Sequence, residues 1–252
     1  VYRHTYTRPR YLTSFGGNVI ARLRRLAVVS TAVLLLSACG SSNAPSLDAV
    51  TLLKTAKSVV DSTPSFHFVL TSADVTGSGA ELTGGSGDMK RPDSMSGTLQ
   101  VSIYGLALNV PVVSIGGVFS VKLPTGGGFT TANPADYGFA DPATLIDPNT
   151  GLSSLLLKCQ SPQVESDDRY NGEELHEIGC SLPGSAVAAV LTSADPSKTV
   201  AATFGIDTST NQLRRVVLTG PFVSANNTNT TYTVVLTNYG ENVSVTPPPA
   251  GG

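Results

Sequence analysis

Gly97-Thr98-Leu99-Gln100-Val101-Ser102-Ile103, a break at Tyr104-Gly105, a second run from Ala107 to Ile115, a break at Gly116-Gly117 and a third run from Val118 to Leu123 decide the fold class. Short runs of β-branched and aliphatic residues separated by two-residue turn signals read as successive antiparallel strands. Pro111 has no N–H to give to a ladder, so the second run is expected to carry an edge or a bulge there.

The same pattern extends outward in both directions. Phe66-His67-Phe68-Val69-Leu70 is a strand with two aromatics on one face and His67 on the other, followed by a Gly/Ser-rich stretch from Gly77 to Gly87. Downstream, Val164–Tyr170 and Glu173–Ser181 flank Asn171-Gly172, the pairing expected of a hairpin. Thr199–Asp207, Leu213–Thr219, Thr231–Tyr239 and Val243–Val245 complete the strands, with a hairpin loop expected from Asn226 to Thr231.

Helical signals are few. From Pro45 to Asp61, Val50, Leu53, Lys57 and Val60 recur at helical spacing, and Leu52, Ala56 and Val59 widen the apolar face. Ser46 is the expected cap, Asp48 lies in the first turn, and Thr63-Pro64 stops the helix. Asp141-Pro142-Ala143-Thr144-Leu145-Ile146 reads as a single turn with an Asp cap and Pro at its first position. A turn from Asp147 to Gly151 then leads into Leu152–Leu157, and Ser185 to Leu191 reads as a small helix capped by Ser185. The inventory is α+β, a long antiparallel sheet with helices able to cover one face.

The N-terminal region carries no part of this fold. Arg22, Arg24 and Arg25 precede an apolar run from Leu26 to Leu36 and the sequence Leu36-Ser37-Ala38-Cys39. About 11 apolar residues fall short of the ~20 that a spanning helix needs, so residues 1–38 read as a lipoprotein signal peptide. Cleavage before Cys39 leaves its thiol to take a diacylglyceryl group and fatty acylation, with residues 39–46 as the acylated cysteine and a flexible tether. An ordinary secretory signal with a chance cysteine is the alternative. Val19 is a second candidate start beside Val1, so residues 1–18 need not be translated. The domain proper is expected over 47–246, with 247–252 a Pro/Gly tail.

Removing the segment before Cys39 takes six arginines from the 16 basic residues and leaves ten against 18 acidic ones. A net charge near −8 argues against nucleic acid as a partner. Cys159 and Cys180 are then the remaining cysteines, and outside the cytoplasm a pair reads as a disulfide, with two free buried thiols as the alternative. Centred on Asn171-Gly172, the hairpin places Cys159 about four residues beyond the partner of Cys180, unless the chain bends at Ser161-Pro162.

Catalytic signatures are missing from the sequence: it has no Gly-x-Ser-x-Gly, phosphate-binding loop, dinucleotide fingerprint or Cys-x-x-Cys. His176-Glu177-Ile178-Gly179-Cys180 lacks the second histidine of a zinc protease, and on a strand its first two residues face apart, so no metal or other cofactor is expected. Glu165, Asp167, Asp168, Glu173 and Glu174 read as a solvated hairpin tip. No serine is placed beside His67 or His176, and the chain is not expected to be an enzyme. Sequons at Asn226, Asn229 and Asn242 read as ordinary loop and strand residues. Trp is absent and Gly numbers 25; small side chains on a curved sheet leave room, and an ordinary filled core remains the other reading.

Two segments, the run from Asp141 through Leu152 to Leu155 and the run from Val235 to Pro248, resemble mycobacterial lipoproteins of the LppX/LprA/LprF/LprG family, with element order shared over about 47–248. The resemblance implies a half-open barrel, strongly curved, with helices packed in its concave side around a large apolar cavity that holds lipid or glycolipid acyl chains. It implies a membrane-anchored carrier on the extracytoplasmic face of the cell membrane, with an envelope lipid transporter as a candidate partner. Leu99 matches the strand position facing the cavity, and Val101 and Ile103 share its face by alternation. Phe66 and Phe68 join them on the sheet, while Leu53, Val60, Leu145, Ile146, Leu152, Leu155 and Leu156 would line the helical side. The chain departs from the family where Tyr239 and Gly205 stand at positions usually held by Trp, changes expected to reshape the cavity. A lipoprotein of the envelope that binds a protein partner, with no lipid of its own, is the alternative function.

Overall fold

A computed structural model describes residues 47–75, 80–124, 126–137, 139–222 and 229–248. Cys39, its tether, the signal segment and residues 226–228 of the expected 226–231 loop lie outside them.

Eleven strands form one antiparallel sheet: β1 (Ser65–Ala73), β2 (Ala80–Lys90), β3 (Ser94–Ile103), β4 (Leu106–Ile115), β5 (Val118–Val121), β6 (Thr130–Thr131), β7 (Gln160–Tyr170), β8 (Glu173–Pro183), β9 (Thr199–Asp207), β10 (Leu213–Gly220) and β11 (Thr230–Thr237). Their spatial order is β6-β5-β4-β3-β2-β1-β11-β10-β9-β8-β7. The chain thus meanders out along one half and back along the other, the halves joined where β1 pairs β11. The end strands β6 and β7 do not pair, so the curved sheet stays an unclosed barrel. Pro111 sits where the sequence demands. Its carbonyl accepts from Lys122 N on the β5 side, and the reciprocal bond that its missing N–H cannot give falls just beyond Val112–Val121, where the pairing with β5 stops.

The Gly/Ser-rich stretch from Gly77 to Gly87, which the sequence reading assigns to no element, supplies most of β2; residues 76–79 lie outside the described ones. Gly87 and Gly97 are direct partners across β2 and β3. A Cβ on Gly87 would sit 2.4 Å from Ser96 O, and one on Gly97 2.3 Å from Ser86 O. Glycine is therefore what lets the two strands approach and coil, a tertiary demand that local β-propensity does not register.

Helix α1 (Ala49–Ser62) starts later than expected: Asp48 is the cap, and its carboxylate accepts from Val50 N and Thr51 N. Its buried face is Ala49, Leu53, Ala56 and Val60. Arg91, on the β2–β3 turn, donates to Val60 O at 3.0 Å and Thr63 O at 2.9 Å, capping carbonyls that a helix end otherwise leaves open. The third guanidinium nitrogen reaches Ile146 O, and Ser153 Oγ donates to Asp61 at 2.7 Å. One helix and the central turns are thereby tied into a single layer.

Those central turns are 3-10 helices at Pro134–Tyr137, Pro142–Ile146 and Leu152–Lys158. Asp141 caps the second, accepting from Ala143 N at 3.0 Å, as its sequence predicts. The helix expected from Ser185 to Leu191 is only α2, Gly184–Val187, with no side-chain cap from Ser185. Val243–Val245 forms no strand; that segment is held by Lys90 Nζ on Val243 O at 2.9 Å.

Cys159 and Cys180 are bonded, with Cα atoms 5.6 Å apart. Two irregularities in β7, between Gln160 and Gln163 and between Val164 and Asp167, each add one residue and take up half of the four-residue offset. Ser161 takes a left-handed φ of 50° at the first, a local kink of the kind a bulge creates.

Candidate functional site

Strand alternation sends Phe66, Phe68 and Leu70 of β1, Tyr232, Val234 and Leu236 of β11 and Met95 and Leu99 of β3 to the inward face. In register, Phe66, Met89 and Met95 form one row across three strands, and Leu70, Gly85 and Leu99 another. The 3-10 turns and the segment after α2 close over these rows with Phe139, Pro142, Leu145, Leu152, Val190 and Leu191. Between the layers lies a cavity of about 110 Å³, completed by Leu82 and Leu218. The inward positions of Gly85, Gly87 and Gly97 carry no side chain, which leaves that surface to Phe68, Leu70, Leu99 and Met95.

No charged residue lines the cavity. Its one polar side chain is Tyr232, whose hydroxyl donates to Leu82 O at 3.0 Å. Burial, with the charge of Glu81 adding to it, pushes that phenol up to about 12, so it stays a neutral donor. A second void of about 10 Å³ lies beside Val101, Val110, Val112, Phe119, Val121 and Tyr137. Leu99 and Phe139 line both spaces, and Phe139 is braced by an edge contact from Phe119 at 5.9 Å.

Of the residues singled out in the sequence, Leu99, Phe66, Phe68, Leu145 and Leu152 line the larger cavity, and Val101 lines the smaller. Leu53, Val60, Ile146, Leu155 and Leu156 are buried in the core but do not reach either space. Ile103 is partly buried beside the same core. Sequence reasoning missed Leu70, Leu82, Met89, Met95, Leu218, Tyr232, Val234 and Leu236. Extending the Phe66–Phe68 alternation finds Leu70, whereas Met89 and Met95 fall between the glycine stretch and the strand expected from Gly97, where the sequence reading places no strand.

The two positions where Trp was expected do not shape the cavity. Tyr239 lies behind Phe66, ring centroids 5.9 Å apart, and its hydroxyl donates to Leu213 O. Gly205 faces the outer side of the sheet, where a Cβ would meet Glu177 Oε1 at 2.7 Å and Arg215 Cβ at 3.2 Å.

That outer side holds the charges. Arg215 donates to Asp168 at 2.7 Å and Glu177 at 2.8 Å and lies over the Tyr170 ring at 4.8 Å. Glu177 is 5% exposed; burial pushes its carboxyl up, with Arg215 opposing. Glu173 pairs with Arg214, and on the opposite face of β8 from Glu177 His176 meets Asp167 at 2.7 Å. The acidic hairpin is thus partly ion-paired rather than merely solvated. His67 meets Asp88 at 2.7 Å on the other half of the sheet. Among the described residues no group of three or more His, Cys, Asp or Glu converges as a metal site would require, and no helix is long and apolar enough to cross a membrane.

The comparisons with known proteins agree with this architecture. The family model described as LppX_LprAFG lipoprotein matches residues 48–245. The chain is 29% identical over 240 residues to the lipoarabinomannan carrier protein LprG of Mycobacterium tuberculosis, covering 90% of this chain and 95% of that one. It is 26% identical over 235 residues to the protein of the same name from Mycobacterium leprae, covering 88% and 93%. Among solved structures, LprF from Mycobacterium bovis superposes with a TM-score of 0.64 at 16% identity, covering 81% of this chain and 97% of that one. Mycobacterium tuberculosis LppX gives 0.58 at 17%, covering 79% and 98%. Both share the fold.

Proposed function

The chain belongs to the LppX_LprAFG lipoprotein family, and on that premise we propose that it is a lipid or glycolipid carrier of a bacterial envelope. The observation that carries this reading is the cavity of about 110 Å³ walled by aliphatic, Met and aromatic side chains with no charge among them. Such a wall offers an acyl chain dispersion and burial and offers a headgroup nothing. About ten methylenes removed from water contribute ~8 kcal/mol before the cost of immobilising them. The headgroup stays at the mouth, so selectivity among headgroups is weak.

Two or three chains need more room than this. The sheet wall is fixed by its ladders, so the wall that yields is the layer of α1 and the 3-10 turns, tied together through Arg91 and Asp61. Anchoring is through lipid on Cys39, which holds the domain at the outer leaflet, where an envelope transporter or a second membrane takes the cargo. The protein performs no chemistry on it.

The test is uptake of a fluorescent acyl probe by residues 40–252. Wild-type protein is expected to take up probe that phospholipid displaces. Leu99→Trp, which places an indole between the two spaces, is expected to abolish uptake with the fold intact by circular dichroism. Undiminished uptake by that variant, or none by the wild type, overturns the reading; a wild-type protein that refuses lipid points to an envelope interaction lipoprotein.

A further inference from the structure

The inward face of the β3–β4 hairpin does not stop at the cavity. Leu99 and Val110, Val101 and Leu108, and Ile103 and Leu106 are successive direct partners on that one face. Leu99 lines the cavity, Leu108 and Ile103 are partly buried, and Leu106 is 63% exposed. The row ends at Tyr104, 87% exposed. An apolar track therefore runs from the cavity to solvent and finishes in an aromatic tip.

Two features mark this tip as selected for something other than folding. Tyr104 and Gly105 have φ of 49° and 80°, the left-handed pair of a type I′ turn, in which Asn, Asp or Gly is the undemanding first residue and a bulky one is strained. The β7–β8 turn has the same geometry with Asn171-Gly172, at 50° and 89°. Moreover, no charged residue occurs between Asp93 and Lys122, although the domain as a whole is acidic.

We propose that the β3–β4 tip, Tyr104 with Leu106, docks into the headgroup boundary of a lipid bilayer and that the track behind it is the path of acyl chains to the cavity. This rests on the carrier reading above. The bilayer is the occupant the chain itself supplies: nine steps of chain from Cys39 to Asp48 extend at most about 30 Å, so an acylated Cys39 keeps the domain against a membrane. An amphipathic ring at the end of an uncharged apolar hairpin suits the interface between headgroups and chains. The charged β7–β8 hairpin does not.

The chain contains no Trp, so Tyr104→Trp gives the full lipid-anchored protein a single indole at this tip. Reconstituted in phosphatidylcholine vesicles, it is expected to emit to the blue of an Asn171→Trp protein and to be quenched by bromine-labelled acyl chains. Equal emission and quenching at the two tips overturns the docking, and so does a blue shift that follows protein concentration without vesicles, which marks a second copy instead. Tyr104→Asn with Leu106→Ser tests the path. Asn suits the turn, so misfolding does not explain a loss. Transfer of fluorescent phosphatidylcholine from vesicles is expected to slow about tenfold or more, because each apolar side chain kept out of the bilayer forfeits roughly that factor. Uptake of monomeric lysophosphatidylcholine stays unchanged. An unchanged transfer rate overturns the path. A wild-type protein that takes up no monomeric lipid overturns the carrier reading, while the indole still reports docking.

Discussion

The β3–β4 and β7–β8 hairpins turn through the same two left-handed residues, yet one is built from apolar rows and the other from charge. In β3–β4 every pair from Ser94–Ile115 to Ile103–Leu106 is in regular register. In β7–β8 two irregularities break the ladder, a disulfide clamps its open end, and Arg214 and Arg215 fasten its tip. The difference follows from position. β3 lies inside the sheet and is held by neighbours on both sides, whereas β7 is a terminal strand and must be kept from pairing with other chains, which bulges, Pro162 and charges accomplish. One half is thereby free to carry an apolar surface, and the other provides a fixed, inert edge.

That contrast can be broken from the charged side first. Arg215→Met leaves Glu177 buried without its guanidinium, and Glu177 Oε2 already has no hydrogen-bond partner among the described residues. The expected loss is about 3 kcal/mol in urea denaturation, while Glu177→Gln with Arg215→Met recovers much of it. Replacing both Cys159 and Cys180 with Ser opens a loop of 21 residues and is expected to cost about 3 kcal/mol by chain entropy. Acyl-probe uptake should be untouched, because neither cysteine lines the cavity.

Acid provides the next test. Burial works against the Asp207 carboxylate, but hydrogen bonds from Ser209 and Thr210 outweigh it and hold the group down to about 2, against an ordinary value of 3.8. A depressed folded-state value stabilises the fold above the ordinary value and is lost as pH falls from about 4 toward 2, a contribution of about 2 kcal/mol. Glu177, pushed up, acts with the opposite sign. Thermal unfolding of Asp207→Asn should therefore show a shallower acid limb than the wild type. On the apolar hairpin the smallest effect carries the opposite sign: Tyr104→Asn relieves a strained turn and is expected to stabilise by about 0.5 kcal/mol. A destabilised variant would mean the tyrosine packs on something that matters to the fold.

Much of the sheet was legible because alternation and turn pairs are local signals: Phe66–Leu70, Tyr104-Gly105 and Asn171-Gly172 each announced themselves. β2 was not, since Gly84, Gly85 and Gly87 are chosen for approach to neighbouring strands that the sequence order does not reveal. The same omission hid Met89 and Met95 and with them one wall of the cavity. α1 was found, but Leu53 and Val60 were placed on the cavity wall through the resemblance, and helical periodicity identifies a buried face without saying whether atoms or space lie opposite it. Leu99 was reached through resemblance, and only the register shows it standing between two voids.

The central claim is that this space exists to be filled by lipid. The direct measurement is mass spectrometry of organic extracts of residues 40–252, purified without detergent from an actinobacterial host, alongside thermal melting before and after extraction. The account predicts an acylated lipid near one molar equivalent and a fall in stability of about 2–3 kcal/mol when a void of this size is emptied. A protein that is empty as purified, melts unchanged and refuses added lipid would contradict it.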